Sequence, residues 1–204
     1  MYVTKLTPVT KAKYKVYLDE EFAFVLYKGE LSLYGIQEGK ELSQDVVERI
    51  KKEVLVKRAK LRALHILERA DRTEAELAAK LKQDLYPDEI VACAMQYVKS
   101  FGYIGDSDYA RRFVESKRRT KSKREITMLL QQKGISSEYI AEALENSYEE
   151  CNERDTIQKL VEKKHFSVEE ATDKEKKKMF DYLLRKGFRY EDIRQVIQVS
   201  SWNA

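Results

Sequence analysis

A set of helix-start and helix-stop signals recurs about every fifty residues along most of this 204-residue chain, and such a repeat limits what the chain can become. Thr73-Glu74-Ala75-Glu76, Ser122-Lys123-Arg124-Glu125 and Thr172-Asp173-Lys174-Glu175 each have capping-box form, their starts 49 and 50 residues apart. In that form a hydroxyl accepts from the third helical amide while the glutamate reaches back to the cap, together worth on the order of 1 kcal/mol. Ser147–Glu150 and Ser167–Glu170 share the pattern, so the box needs a second signal that keeps step with it. That signal is a turn: Asp84, Gly134 and Gly187 precede Leu85, Ile135 and Phe188. Ile90, Ile140 and Ile193 follow five residues on, then Ala94, Leu144 and Ile197 four further. Each unit reads as three helices, with the aspartate or glycine ending the second. Three such units, each too small to bury much alone, predict an elongated tandem array.

The second unit carries the strongest charge feature. Between Arg111 and Glu125 stand eight basic residues (Arg111, Arg112, Lys117, Arg118, Arg119, Lys121, Lys123, Arg124) against two acids, Glu115 and Glu125. A charge run on an exposed helix is by default a solvated face. Here acids are too scarce for i,i+4 pairing to neutralise the run locally, and arginine's planar fork suits phosphate and carboxylate. The run predicts a surface for a polyanion or an acidic protein face, with affinity that falls as salt rises. An acidic patch follows it (Glu142, Glu145, Glu149, Glu150, Glu153) and divides the second unit from the third. Lysines between Asp173 and Lys178, then Arg185, Lys186 and Arg189 around the last turn, return positive charge to the third unit.

Composition agrees with a mostly helical protein: 36% charged residues, 7 Gly and 2 Pro. The net charge of +4 is modest, so clustering carries any argument about nucleic acid. Ahead of the repeats, Tyr14–Leu18 and Phe22–Tyr27 are rich in aromatic and β-branched residues and flank Asp19-Glu20-Glu21, which predicts a β-hairpin. Val3 to Val9 would add an edge strand because of Pro8. A short helix over Gly29–Tyr34 would end at Gly35, and Ser43 would cap a helix bearing Val46, Val47, Ile50 and Val54. The next helix shows Leu61, Leu64 and Leu67 at three-residue steps, with Arg58, Lys60, Arg62 and Arg69 among its polar positions. The reading divides the chain into an N-terminal hairpin segment, 1–50, and units at 51–105, 106–152 and 153–204.

Little supports catalysis. His65 and His165 are far apart in sequence and near no cysteine; His65 reads as a structural or surface residue. Cys93, in the apolar run Ile90–Met95, reads as a buried thiol, and with Cys151 it makes neither metal spacing nor a disulfide framework. Gly102-Tyr103-Ile104-Gly105 lacks the strand–helix context of a phosphate loop. Tyr97, Phe101, Tyr103 and Tyr109 are expected to pack between units rather than stack on bases, and Trp202 to close the last apolar face. With no long apolar segment in view, cytosol is the expected location.

These residues resemble the RecX family, regulators of the bacterial recombinase RecA. Arg62-Ala63-Leu64, Leu67, Arg69, Thr73, Glu76-Leu77 and Lys80-Leu81 are similar to the family's first unit. Gly102–Asp106 with Tyr109-Ala110 resembles its junction. Lys123–Ile126, Leu130 and Lys133–Ile135 resemble its middle unit, and Tyr182-Leu183, Arg185–Phe188 and Ile193 its closing segment. Tyr17–Phe22 is similar to the hairpin of Gram-positive-type members. Two positions depart from the pattern: Gly105, where the family has Asn or Asp, and Thr120–Arg124, where many members keep a glycine. The resemblance implies a non-enzymatic, cytoplasmic monomer without cofactors, acting in DNA repair, homologous recombination and the SOS response. It would lie along the RecA filament on single-stranded DNA and usually inhibit it, with weak direct DNA binding as a further expectation. Its contact surface would be Arg111, Arg112, Lys117, Arg118, Arg119, Lys121, Lys123 and Arg124, with Arg58, Arg62 and Arg69 as further candidates. The competing class is a tandem helix-turn-helix DNA binder, which the acidic third helices, such as 138–146, argue against.

Overall fold

The first fifty residues build more sheet than a hairpin. In the computed structural model, which describes residues 1–148 and 153–198, β1 (Val3–Pro8), β2 (Lys13–Leu18) and β3 (Glu21–Tyr27) form an antiparallel sheet in the order β1-β2-β3. Pro8 ends β1 on the edge, where its missing N–H breaks no ladder. The β2–β3 connection is two residues, not three: Asp19 and Glu20 both take positive φ (48° and 71°), matching the twist of the flanking strands. Two bonds hold this turn without glycine. The Tyr2 amide donates to Asp19 Oδ1 at 2.7 Å, and the Glu20 amide to Thr4 Oγ1 at 3.1 Å.

Helix α1 (Lys28–Leu33) follows, with Gly35 at φ +64° beyond it, as its sequence predicts. Ser43 caps α2 (Gln44–Arg49) by accepting from the Val46 amide. Six residues of π-helix, Ile50–Leu55, then run directly into α3 (Val56–Arg69). The buried face of α3 is Ala59, Ala63 and Ile66, not the leucine stripe. A strict three-residue step drifts about 60° per step around an α-helix. Leu64 and Leu67 therefore only graze the core, and Leu61 is 68% exposed. Helices α4 (Glu74–Gln83) and α5 (Asp88–Ser100) complete the first three-helix unit.

The sheet and these helices share one core. Val16, Phe24 and Leu26 from the strands belong to the same buried cluster as Ile50, Leu55, Leu77, Leu81 and Val98. The chain divides into two compact units, Met1–Ile104 and Gly105–Ala204. The second holds α6 (Asp106–Lys117), α7 (Lys123–Gln132), α8 (Ser137–Tyr148), α9 (Glu153–Lys163), α10 (Asp173–Arg185) and α11 (Tyr190–Ile197). Its two bundles keep separate cores: Ala110, Val114, Ile126, Leu130, Ile135, Ile140 and Ala143 in one, and Ile157, Val161, Met179, Leu183, Phe188, Ile193 and Ile197 in the other.

The turns correct the repeat register by one residue. The left-handed position is Leu85 (φ 66°) in the first bundle, Gly134 (83°) in the second and Gly187 (85°) in the third. The next amide in each, Tyr86, Ile135 or Phe188, closes back on Leu81, Leu130 or Leu183. This is the Schellman arrangement that satisfies carbonyls at a helix end. In this frame Thr73/Ser122, Leu85/Gly134, Val91/Ile140 and Ala94/Ala143 all stand 49 residues apart. The third bundle is longer because α10 has 13 residues where α4 and α7 have 10.

One further expectation changes. Cys93 is exposed, since α5 buries Ile90, Val91, Ala94 and Val98 and turns the thiol outward. Phe101 (59% exposed) and Tyr103 (55%) stack on each other at 5.7 Å. Tyr97 grazes the first core and Tyr109 the second. Trp202, Cys151, Glu149 and Glu150 lie outside the described residues.

Candidate functional site

The basic run is divided by what each side chain touches. Arg118 is a strut: its side chain is 13% exposed, with one guanidinium nitrogen donating to the Ser147 carbonyl at 2.8 Å and the other on Glu115 at 2.7 Å. Lys121 pairs with Glu125 one helical turn away, so local pairing does occur here. The spacing hides it because Lys121 precedes the helix while Glu125 lies in its first turn. Arg111 pairs at 3.0 Å with Asp108, upstream of the run. Arg112, Arg119 and Arg124 are exposed; Lys117 and Lys123 are half-buried. Among the described residues, no carboxylate pairs with Arg119 or Arg124.

Polar bonds at the ends of the helices bring part of this run against the third bundle. Ser122 is buried, and its hydroxyl works twice: it accepts from the Glu125 amide at 3.1 Å and donates to the Lys186 carbonyl at 2.7 Å. Thr156 Oγ1 donates to the Arg118 carbonyl at 2.9 Å, and Glu153 accepts from the Lys123 amide at 2.8 Å. Glu153 is therefore a buried carboxylate at the N-terminus of α7, where the helix dipole favours it, and not part of a solvated acidic patch. Glu142 and Glu145 remain exposed.

Gly187 shows how tight this joint is. A Cβ there would meet Ser122 Oγ at 3.0 Å and Arg124 Cβ at 3.3 Å. Lys123 and Arg124 at the start of α7 thus lie beside the turn carrying Arg185, Lys186 and Arg189, of which both arginines are exposed. Sequence spacing shows these three only as flanking a turn; the signal that links them to α7 is the cap–turn pair, read between units rather than within one. Chemically the joint is a concentrated cationic ridge made from two bundles, suited to phosphate or carboxylate.

Two of the three candidates from the first unit are engaged within it. Arg58 is held by Glu30, donates to the Val25 carbonyl at 3.3 Å and covers the Tyr27 ring at 4.6 Å. Arg62 pairs with Asp84 at 2.6 Å, and Arg69 is exposed at the end of α3. Between Arg58 and Arg62, burial raises the Tyr86 phenol above its ordinary pKa, with the Arg58 charge opposing. His65 sits on the surface with Nδ1 at 3.7 Å from Glu68. His165 lines an open cleft with Phe166, Glu170, Lys178 and Tyr182. Among the described residues no group of three acidic, histidine or cysteine side chains could hold a metal, and no helix is long and apolar enough to cross a membrane.

Comparison with known proteins bears on the same elements. Residues 59–97, 106–144 and 152–197 match the first, second and third three-helix domains of RecX. The regulatory protein RecX of Caldanaerobacter subterraneus subsp. tengcongensis is 32% identical over 98% of this chain and 100% of its own. The regulatory protein RecX of Clostridium botulinum strain Eklund 17B is 28% identical over 92% of this chain and 90% of its own. A crystal structure of regulatory protein RecX superposes with a TM-score of 0.64 at 26% identity, over 97% of this chain and 98% of the other. RecX from Lactobacillus salivarius shares the fold, with a TM-score of 0.62 at 23% identity over 71% of this chain and 95% of the other. With three bundles in order, each closed by the same turn, and relatives aligned nearly end to end, this chain belongs to the RecX family of regulatory proteins.

Proposed function

We propose that this protein modulates a RecA-type recombinase, binding its filament on single-stranded DNA and restraining it, as a cytoplasmic, non-enzymatic monomer. The observation that carries the reading is the ridge at the joint of the second and third bundles. Exposed Arg119 and Arg124 have no carboxylate partner among the described residues, and Arg185 and Arg189 lie on the apposed turn. A filament of acidic protein faces and DNA phosphates is the kind of polymer such a ridge would bind. Arg112, Lys117 and Lys123 extend the surface. Arg118 serves as its support, and Arg58 and Arg62 are engaged within the first unit.

The test is a RecA ATPase titration on single-stranded DNA. The chain lowers the steady-state rate, and Arg119→Glu/Arg124→Glu shifts the half-effective concentration upward by about tenfold or more, as expected when two exposed cations facing a polyanion are reversed. An unchanged titration curve for that variant removes the ridge from the reading. Tight, sequence-dependent binding to bare duplex would favour the helix-turn-helix class instead. That class would require a third helix such as α8, with Glu138, Glu142 and Glu145, to enter a groove lined by phosphates.

A further inference from the structure

The matches to the three RecX domains begin at residue 59, so the sheet has no part in them. Its two faces differ sharply. Cross-strand partners place Leu6, Val16 and Phe24 in one row and Pro8, Tyr14 and Leu26 in another; Val16, Phe24 and Leu26 are fully buried there. The opposite face carries rows Lys5–Tyr17–Phe22, Thr7–Lys15–Val25 and Lys13–Tyr27. Rings and ammonium groups interleave on it: Lys15 Nζ lies 5.9 Å from the Phe22 ring, Lys13 Nζ 5.2 Å from the Tyr27 ring, and Tyr17 meets Phe22 edge-on at 5.9 Å. Phe22 is 40% exposed and Tyr27 38%. Among the described residues no carboxylate pairs with Lys5, Lys13 or Lys15, and Lys11 adds a cation in the β1–β2 turn. The acids nearest in sequence, Asp19, Glu20 and Glu21, stand at the β2–β3 turn and bound the face at one end; Glu30 is occupied by Arg58.

An outward sheet face is commonly balanced by cross-strand pairs of opposite charge. This one pairs cations with π-faces, and among the described residues no carboxylate forms an ion pair with these lysines. We propose that the outer face of the N-terminal sheet is a binding platform for single-stranded nucleic acid. Lys5, Lys13 and Lys15 would take the phosphates, and the rings of Phe22 and Tyr17 would stack on bases, while Tyr27, covered by Arg58, borders the platform. Sheet platforms with projecting aromatic rings bind unpaired strands because every base offers a π-face, whereas the faces of duplex bases are buried in the stack. The cation–π pairs keep the rings flanked by charge before a strand arrives, and a phosphate then replaces water at the ammonium groups. This proposal rests on residues other than those of the ridge and does not depend on the recombinase reading.

The experiment is fluorescence anisotropy with a labelled oligo-dT strand of about twenty nucleotides, long enough to cover several stacking sites. It uses the full chain at low salt and at two higher salt concentrations. Lys13→Glu/Lys15→Glu weakens binding by about tenfold or more, and its log–log salt slope is shallower than wild type by about 1.4, the release expected from two single-strand phosphates. Phe22→Leu keeps the apolar cover, weakens binding about tenfold, and leaves the slope unchanged. A matched labelled duplex binds less tightly than the strand. The proposal is overturned if the chain shows no affinity for the strand at low salt, or if affinity and slope survive both sheet variants. It is equally overturned if Arg119→Glu/Arg124→Glu alone abolishes binding while the sheet variants behave as wild type. Circular dichroism melting of each variant separates lost binding from lost fold. A failed ATPase titration with intact strand binding rejects the recombinase reading and spares this one.

Discussion

The first bundle and the later two are built from the same three-helix plan, yet they are stabilised differently. The first buries its helices against a sheet, so Phe24 and Leu26 share a core with Leu77, Leu81 and Val98. Among the described residues the second and third bundles have seven buried core apolar side chains each and meet through polar bonds: Ser122 to the Lys186 carbonyl, Thr156 to the Arg118 carbonyl and Glu153 to the Lys123 amide. An apolar core is non-directional and tolerates shape change, whereas a polar joint fixes a geometry and fails when one partner is removed. The cationic ridge sits at such a joint. Its charges are consequently held by bonds that small substitutions can break.

The largest test of this contrast removes core volume. Leu130→Ala should cost about 2–5 kcal/mol, as buried leucine truncations do. Because its cluster is small, chemical denaturation should then show the second compact unit melting before the first. Leu77→Ala, deleting a comparable side chain from the larger core, should leave the order of melting reversed or merged. A single unchanged transition for Leu130→Ala would show that the small bundles do not depend on their own cores.

The turns give a test of intermediate size with opposite signs. Gly187→Ala places a Cβ in a left-handed residue and against Ser122 Oγ, and should destabilise by about 1–2 kcal/mol while loosening the joint. Leu85→Gly relieves a non-glycine residue at φ 66° in the equivalent turn, and should be neutral or stabilising by up to about 1 kcal/mol once the half-buried leucine contact is subtracted. Thermal melts of both decide it; equal destabilisation would mean the turns are not equivalent.

Caps provide effects of similar size at a joint and smaller ones at an exposed helix end. Ser122→Ala loses a helix cap and the bond to the third bundle, for about 1–2 kcal/mol. Thr172→Ala affects an exposed cap whose amide and hydroxyl both donate to Glu175, at 2.9 and 2.7 Å. The Thr172 hydroxyl, followed by its amide, holds the Glu175 pKa below the ordinary glutamate value. A depressed folded-state pKa stabilises above the unfolded value and is lost as pH falls through the folded one. Carboxyl NMR titration should place Glu175 low in the wild type and nearer the ordinary value in Thr172→Ala.

Periodic signals in the chain were enough to identify three helical bundles, their caps at Thr73, Ser122 and Thr172, and a cationic second bundle, because caps and turns are local and their hydrogen bonds close within a few residues. Local patterns misled where a residue's surroundings come from elsewhere. Cys93 stands in an apolar run but on the outward side of α5, and Leu61 follows a three-residue step that leaves the buried face. Glu153 reads as one more surface acid until α7 is placed against it. The basic run itself was legible, but its division into struts and free charges was not. Arg118 finds the Ser147 carbonyl 29 residues away, and Ser122 finds Lys186 at a separation of 64. Helix identity thus follows from spacing of a few residues, while which charges face solvent depends on contacts that only the packed chain brings together.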